Sequence, residues 1–301
     1  MNKFKFYLKA ARPKQWSKNL FVFAAPLFAN NFNLQILINS LFAFTLFSTI
    51  SSAIYFLNDA IDIEKDKLHP KKKFRPIAYG YISQKEAIQT SIILLIFGNA
   101  LAFIFNKYFG IIIIIYCLIQ ISYCIYLKDK PILDIYCISS GFLLRALAGG
   151  VSTGVNLSPW FMLTVFLIAL FLAIEKRKAE LRFFLSSGSL GKNVLKSYSL
   201  SLLIRIENIV STSSFITYSL WASGPLLNGA KTSWMLITIP FVLYGIFRYQ
   251  LLSDPDKSNI EKTLQSFTAE APEELLLNDK VLQINIAIWL LTTLIIFKLT
   301  S

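Results

Sequence analysis

Residues 58–80, NDAIDIEKDKLHPKKKFRPIAYG, crowd three aspartates, a histidine and a run of cations between two apolar segments. Asn58, Asp62 and Asp66 are spaced four residues apart, so a helix through them carries three oxygen-bearing side chains on one face, with Asp59 close by. Like charges at this spacing repel, so we expect positive groups among them. Carboxylate oxygens suit Mg²⁺, whose remaining ligands are water and substrate phosphate. The pattern predicts a Mg²⁺ site facing a diphosphate, with Asn58, Asp62 and Asp66 as ligands.

The cations that follow the aspartates could hold the phosphate groups. Lys73 and Arg75 are our predicted phosphate ligands within KKKFR, because arginine grips a phosphate with two parallel N–H groups. The alternative is a solvated loop in which aspartates and lysines merely balance each other. His69 is the only histidine, and it has no His or Cys partner for a transition-metal site.

The composition is that of an integral membrane protein. Of 301 residues, 55% are hydrophobic and only 16% are charged, and apolar stretches recur without a soluble domain between them. We therefore expect one polytopic, all-α domain over residues 1–301. Cys117, Cys124 and Cys137 all fall in apolar runs, which favours buried packing over disulfides or metal binding. No removable signal peptide is predicted, and the residues do not decide whether the chain forms a homo-oligomer.

The lengths of the apolar stretches, and the polar residues that separate them, predict nine transmembrane helices. They lie near residues 19–31, 34–57, 86–105, 109–127, 132–153, 158–175, 198–223, 233–250 and 281–298.

The positive charges are distributed asymmetrically across these spans. Most of the 30 lysines and arginines lie in the N-terminal arm and in the connections near 58–85, 128–131, 176–197 and 251–280, and only Lys107, Lys231 and Lys298 lie on the other side. This asymmetry predicts a cytoplasmic N-terminus, an external C-terminus and cytoplasmic polar loops. It also accounts for the net charge of +13 through topology and anionic lipid, so no nucleic-acid partner is expected.

NDAIDIEKD resembles the first aspartate-rich motif, N-D-x-x-D-x-x-x-D, of the UbiA superfamily of intramembrane prenyltransferases. Three further blocks, RPKQWSKNLFVFAAPLFA, YLKDKPILDIYCISSGFLLRALAGG and APEELLLNDKVLQ, are similar to its decaprenyl-phosphate phosphoribosyltransferase branch. The four blocks run from Arg12 to Gln283, nearly the whole chain. The resemblance implies a helical bundle with an active cavity open to the cytoplasm of a cell inner membrane.

The resemblance also suggests phosphate ligands outside the first motif. Lys14 and Lys18 flank Trp16 before the first span, where Trp16 fits interfacial anchoring and the two lysines match the family's R-P-x-Q-W-x-K-N block. Family members place a Tyr and a Lys near the diphosphate at the positions of Tyr126 and Lys128. We therefore include these four polar residues among the expected substrate ligands.

The connection after the sixth span departs from the family pattern. Prenyl-transferring members carry a second aspartate-rich motif there, whereas this chain has EKRKAEL, with Lys176 and Arg177 at its centre. One acidic cluster facing a cationic one suits a sugar diphosphate that bears a separate phosphate. A basic stop after a membrane span explains the same residues equally well.

Arg145 lies within the fifth span, where a charge is costly enough to indicate a function or a partner. We expect its partner to be a substrate phosphate or Glu207. Arg205 is two residues from Glu207 on one helix, so the two should point to different sides, with Arg205 snorkelling to the interface.

By resemblance, the expected reaction is Mg²⁺-dependent transfer of the 5-phosphoribosyl group from phosphoribosyl pyrophosphate to a polyprenyl phosphate within the bilayer. Asp59, Asp62 and Asp66 are the expected catalytic residues. A polyprenyl-diphosphate-dependent prenyltransferase acting on a quinone precursor or another acceptor is the alternative. A transporter is the more distant alternative, because no internal repeat is evident.

Overall fold

The computed structural model describes residues 3–28, 33–69, 71–187, 193–253, 275 and 278–300, and every regular element in these ranges is helical. The α-helices are α1 (Lys3–Ala11), α2 (Ala24–Phe28), α3 (Leu34–Ile61), α4 (Ile63–Leu68), α5 (Pro76–Tyr79), α6 (Gln84–Phe105), α7 (Lys107–Ile125), α8 (Leu133–Thr153), α9 (Pro159–Ser187), α10 (Leu200–Ala222), α11 (Ile239–Ser253) and α12 (Lys280–Thr300). Short 3₁₀ segments at Pro13–Phe23, Lys72–Phe74, Leu127–Asp129, Asn193–Ser197, Pro225–Leu227 and Ser233–Thr238 connect them.

In the described residues, seven helices are long and apolar enough to cross a membrane, rather than the nine predicted. They are Leu34–Ile61, Gln84–Phe105, Lys107–Ile125, Leu133–Thr153, Pro159–Arg182, Ser233–Ser253 and Lys280–Thr300. The chain is therefore a multi-pass, all-helical membrane protein.

Two predicted spans are missing from this set for different reasons. The region predicted as 19–31 forms the 3₁₀ segment Pro13–Phe23 followed by the five-residue helix α2, and residues 29–32 lie outside the described part of the chain. The region predicted as 198–223 does form one long helix, α10, but serines, threonines and the charges of Arg205 and Glu207 reduce its hydropathy.

The chain divides into two compact units. Unit 1 comprises Met1–Lys128 and Ser140–Asn156, and unit 2 comprises Asp129–Ser139 and Leu157–Ser301. Helix α8 contributes its first turns to unit 2 and the remainder to unit 1.

Unit 1 is organised around α3, which packs against α6, α7 and the 3₁₀ segment Pro13–Phe23. Asn33 caps α3 by accepting a hydrogen bond from the Ile36 amide. Small buried side chains along α3, such as Ala43 and Ala53, allow neighbouring helices to approach closely, as is usual between helices in a membrane. The acidic motif lies at the C-terminal end of this well-packed helix.

Unit 2 is built on the pairing of α9 with α10, and α11 packs against α12. Asp279 begins α12 by accepting from the Leu282 amide at 2.7 Å, and it also binds Arg248 of α11 at 2.8 Å. The hydrogen bond from Arg248 lowers the pKa of Asp279, so the carboxylate stays ionised as both a cap and an ion-pair partner. Most of the acidic connection at 251–280, including residues 254–274, lies outside the described residues.

Gly149 of α8 provides a test of the packing in unit 1. A Cβ atom there would overlap the backbone carbonyl oxygen of Val22. Alanine is favoured over glycine by about 1 kcal/mol inside a helix, so helix propensity alone predicts that Gly149→Ala stabilises the protein. Because a backbone carbonyl cannot move aside cheaply, we expect Gly149→Ala to lower the melting temperature of the detergent-solubilised protein.

Gly245 of α11 is the matched control for this substitution. A Cβ at Gly245 would lie 3.4 Å from the Asn285 side chain, a tolerable contact. Gly245→Ala should therefore leave the melting temperature unchanged or raise it. Equal melting temperatures for Gly149→Ala and the wild type would contradict the close approach of α8 to Val22.

Candidate active site

The helical register of the acidic motif continues past the end of α3. Asp62 joins α3 to α4 with φ −91° and ψ 13°, a small departure from helical geometry. The Asp62 amide donates to the Asn58 carbonyl at 2.9 Å, and the Asp66 amide donates to the Asp62 carbonyl at 2.8 Å. Asn58, Asp62 and Asp66 therefore follow one another on successive turns of one face.

Three cations from separate segments bind the three aspartates of the acidic motif, Asp59, Asp62 and Asp66. Arg12 donates to Asp59, and Arg75 donates to Asp59 at 3.1 Å and to Asp66 at 2.6 Å. Lys128 donates to Asp62 at 2.6 Å. These pairs provide the positive charge that closely spaced carboxylates require, and all of their members belong to unit 1.

The four oxygen-bearing residues differ in accessibility. Asp59 is 1% exposed and Asp66 is 4% exposed, whereas the Asp62 side chain is 18% exposed. Asn58 is half-buried, and its side chain makes no hydrogen bond within the described ranges. Asn58 and Asp62 are thus the members of the motif that are available to a ligand on the accessible side.

The oxygen-bearing side chains of the motif fit Mg²⁺ as a partial set of ligands, with water and phosphate completing the shell. In the part of the chain that the structure describes, no three His, Cys, Asp or Glu side chains converge on one point. Mg²⁺ ordinarily takes one or two carboxylates and fills its shell with water and phosphate oxygens. Asp62, with the amide oxygen of Asn58 one turn earlier, supplies donors of this kind, and Asp66 follows one turn later.

The remaining predicted ligands of unit 1 lie on its surface. Lys73 is exposed, with its ammonium group 5.2 Å from the centre of the Phe74 ring, and Lys14 is also exposed. Lys18 is half-buried, and Tyr126 is 58% exposed at the end of α7. Trp16 donates to the Ser52 hydroxyl at 3.0 Å.

Arg145 has partners other than those predicted from the sequence. It is 5% exposed, and it donates to Asn19 and the Gly141 carbonyl at 2.8 Å each and to the Tyr116 hydroxyl at 3.1 Å. Its guanidinium also lies 5.0 Å from the centre of the Tyr116 ring. The predicted pairing with Glu207 is wrong, because Glu207 binds Lys178 instead. The predicted separation of Arg205 and Glu207 holds, since Arg205 is exposed and Glu207 is buried.

The EKRKAEL segment forms two buried ion-pair groups in unit 2. Arg177 has a fully buried side chain and donates to Asp134 at 2.5 Å and to Glu180. Lys178 donates to Glu175 at 2.7 Å and to Glu207. Lys176 between them is half-buried. The enclosure of Arg177 favours a structural role over the substrate contact that we predicted.

Tyr198 connects the ion pair of Arg177 and Asp134 to Ile132, the residue before α8. Its hydroxyl donates to Asp134 at 2.7 Å and accepts from the Ile132 amide at 2.5 Å. Burial, and then the hydrogen bond to Asp134, raise the pKa of Tyr198, so its hydroxyl keeps its proton and remains a donor. Asp134 is therefore held by two donors, which fixes the start of α8.

Sequence reasoning missed Arg12 and Asn19. Arg12 begins the RPKQWSKN block, in which we assigned ligands only to Lys14 and Lys18. No local pattern marks Arg12 as a partner of Asp59, because 47 positions separate them. Asn19 could have been suspected as a buried amide in a span, since such groups need hydrogen-bond partners.

The fold and this acidic motif together define an intramembrane enzyme class. The model of the UbiA prenyltransferase family matches residues 19–269, and the chain belongs to that family. Its helical fold matches the UbiA homolog from Archaeoglobus fulgidus bound to GPP and Mg²⁺ with a TM-score of 0.72, covering 97% of this chain and 99% of the other at 19% identity. At this identity the match concerns the fold alone.

Individual relatives are more similar in sequence. The chain is 35% identical to decaprenyl-phosphate phosphoribosyltransferase of Mycolicibacterium smegmatis, covering 94% of this chain and 89% of the relative. It is 34% identical to the protein of the same name from Mycobacterium tuberculosis, covering 95% and 92%. The family assignment and the all-helical membrane fold predicted from the sequence are therefore confirmed.

Substitution of the buried Arg177 distinguishes a structural role of this residue from a role in substrate binding. Arg177→Met leaves Asp134 and Glu180 without their cation, and breaking a buried ion pair costs about 3–5 kcal/mol. We expect a large loss of stability, measured by denaturant unfolding in mixed micelles. Lys176→Met, at the adjacent half-buried position, is the control and should have a smaller effect. If Arg177→Met unfolds like the wild type but binds substrate poorly, the structural assignment is wrong.

Proposed function

We propose that the protein transfers the 5-phosphoribosyl group of phosphoribosyl pyrophosphate to a polyprenyl phosphate and releases diphosphate. The observation that carries this proposal is the similarity, over nearly the whole chain, to decaprenyl-phosphate phosphoribosyltransferases. The replacement of a second aspartate-rich motif by EKRKAEL also supports it.

Asn58, Asp62 and Asp66 are the proposed Mg²⁺ ligands. Mg²⁺ bound there supplies positive charge beside the diphosphate leaving group. The donor chemistry supports this assignment, since Asp62 and Asn58 present oxygen atoms on the accessible side of the motif. The A. fulgidus homolog with Mg²⁺ supports it at the level of the family fold.

The cations of unit 1 act on the anionic groups of the substrates. Arg75 and Lys128 neutralise the diphosphate as negative charge develops on it, and Lys73 and Tyr126 contribute from the adjoining surface. The polyprenyl phosphate oxygen that attacks C1 of the ribose is already an anion, so it needs no strong general base. Positioning and electrostatic stabilisation therefore account for the catalysis.

The remaining predicted ligands have separate assignments. Lys14 and Lys18 are proposed contacts of the lipid phosphate at the membrane interface, and Lys176 is the member of EKRKAEL that we keep as a phosphate contact. We assign Arg145 and Arg177 a structural role, because both guanidinium groups are buried and donate hydrogen bonds to protein groups.

The proposed topology has nine spans, a cytoplasmic N-terminus and an external C-terminus, so the acidic motif faces the cytoplasm. The concentration of lysines and arginines on one side of the spans supports this orientation. The segment at 19–31 and helix α10 are the two further spans that nine crossings require.

A transfer assay tests the reaction. Purified protein is incubated with Mg²⁺, a polyprenyl phosphate and phosphoribosyl pyrophosphate labelled in its ribose, and the organic phase is counted. We expect the label to enter the organic phase only when both substrates are present. Absence of transfer, together with consumption of a polyprenyl diphosphate in a parallel reaction, would show that the protein is a prenyltransferase instead.

Asp62→Asn tests the proposed metal ligand. Removing one charge from the accessible end of the motif should lower turnover by about 100-fold or more, and raised Mg²⁺ should partly restore it. Glu64→Gln is the matched control, because the Glu64 side chain is 79% exposed and pairs with the nearby Lys67. Full activity of Asp62→Asn at low Mg²⁺ would remove Asp62 from the proposed site.

A further inference from the structure

The three lysines at 71–73 begin a tight turn that their own side chains do not stabilise. Lys72–Phe74 is a short 3₁₀ helix, and the side chain of Lys71, at its N-cap, does not cap it. The first amides of a helix lack partners within it, and a lysine side chain carries only donors, so it cannot accept from them. Three adjacent cations also repel one another. The turn therefore needs an acceptor from elsewhere in the chain.

His69 supplies this acceptor. Its ring Nδ1 accepts from the Lys71 amide at 3.2 Å and from the Lys72 amide at 3.3 Å. Its backbone carbonyl accepts from the Lys73 amide at 3.2 Å. Three successive backbone N–H groups thus donate to one residue. Because Nδ1 accepts hydrogen bonds, it carries no proton, and the ring proton lies on Nε2.

The contact between the His69 ring and the amide two residues later has the pattern of an Asx turn, in which an asparagine side chain accepts from the same amide. Nδ1 of histidine and Oδ1 of asparagine are both bonded to Cγ, so the two acceptor atoms occupy equivalent positions. The side-chain oxygen of glutamine lies one bond further from Cα. Asparagine and glutamine at position 69 therefore separate the position of the acceptor from the mere presence of a polar side chain.

His69 also connects the lysine turn to the acidic motif. Its backbone amide donates to the Asp66 carbonyl at 3.2 Å, where α4 ends. At the other end of the turn, the Arg75 amide donates to the Lys72 carbonyl at 2.9 Å. The side chain of Arg75 then returns to Asp66 at 2.6 Å. These contacts form a closed ring, in which His69 fixes the path of the chain between Asp66 and Arg75.

We propose that His69 is a positioning residue of the candidate active site, whose imidazole acts through the lysine turn to place the guanidinium of Arg75. Arg75 reaches Asp59 and Asp66 from a turn that closes on the Nδ1 atom of His69. The effect of His69 on catalysis rests on the proposed function, in which Arg75 neutralises the diphosphate. The closure of the turn by His69 does not depend on that function.

Limited trypsin digestion of the detergent-solubilised full chain measures the closure of the turn without any substrate. The turn offers three lysines to trypsin, and cleavage requires local opening of the backbone. His69→Gln should raise the rate of cleavage after these lysines about tenfold, because it removes two hydrogen bonds. His69→Asn should be cleaved at the wild-type rate. Equal rates for the two variants, at equal melting temperatures, would overturn the proposal.

Kinetics distinguish action through Arg75 from a general structural effect. His69→Gln should raise KM for phosphoribosyl pyrophosphate about tenfold, because the guanidinium loses its alignment, and His69→Asn should keep the wild-type KM. In an Arg75→Gln background, His69→Gln should add no further increase, since the effects of two residues that act through one contact are not additive. A further tenfold increase in the double variant would show that His69 does not act through Arg75.

The single histidine of the chain allows a test on the wild-type protein. With ¹⁵N-labelled histidine and an affinity tag free of histidine, His69 gives the only imidazole signals. At about pH 8 an ordinary imidazole is neutral, and we expect an unprotonated Nδ1 whose signal is shifted by its hydrogen bonds from that of the unfolded chain. A proton on Nδ1 would overturn the proposal.

The proposal for His69 and the proposed function fail in different ways. The trypsin and NMR measurements use no substrate, whereas the kinetic measurements require phosphoribosyl transfer. If the wild-type protein transfers no phosphoribosyl group but the cleavage rates and the Nδ1 signal are as expected, the proposed function fails and the closure of the turn by His69 stands. If transfer occurs but His69→Gln matches His69→Asn in cleavage and in KM, the proposal for His69 fails alone.

Discussion

The carboxylate of Asp59 is the interaction on which the candidate site depends. It is almost completely buried at the end of α3, where an unpaired charge would be strongly destabilising. Arg12 and Arg75 approach it from two other segments of the chain. The N-terminal arm and the segment after α4 are thereby held against the acidic motif. One buried charge thus joins three segments that the sequence separates.

Two groups of ion pairs in this protein differ in exposure, and the difference indicates what each can do. In unit 1, Arg12 and Arg75 bind buried aspartates but remain partly exposed, so they have donors for an additional anion. In unit 2, Arg177 and Lys178 are buried together with their carboxylates. Breaking the enclosed pairs to bind a ligand would leave charges unpaired at low dielectric. Ligand binding is therefore more favourable at the partly exposed ion pairs of unit 1 than at the buried ion pairs of unit 2.

Arg145 shows how a charge can be buried without a carboxylate. An amide oxygen, a backbone carbonyl, a phenolic hydroxyl and neighbouring aromatic rings surround its guanidinium. Several neutral groups share the solvation of the charge, and the long side chain ties α8 to Asn19 and to α7. In a membrane protein, such polar contacts specify which helices meet, because surrounding lipid is as apolar as the helix surfaces.

The sequence by itself determined the membrane class, the family, most of the helices and the residues of the acidic motif. These features depend on local properties: hydropathy over about 20 residues, the four-residue spacing of Asn58, Asp62 and Asp66, and the order of short blocks. The sequence did not determine the number of spans. Pro13–Phe23 is irregular in structure, and α10 contains charged and hydroxyl side chains, so hydropathy does not decide whether either region crosses the membrane.

Only the tertiary structure decided which opposite charges meet. The sequence offered many lysines and arginines for each aspartate, and their distance along the chain carries no information about pairing. Folding brought Arg12 rather than Lys14 to Asp59, enclosed Arg177 against Asp134, and gave Arg145 the neutral partner Asn19 instead of Glu207. The physical reason is that ion pairing and desolvation depend on distance and burial in three dimensions, which arise only when separate helices pack together.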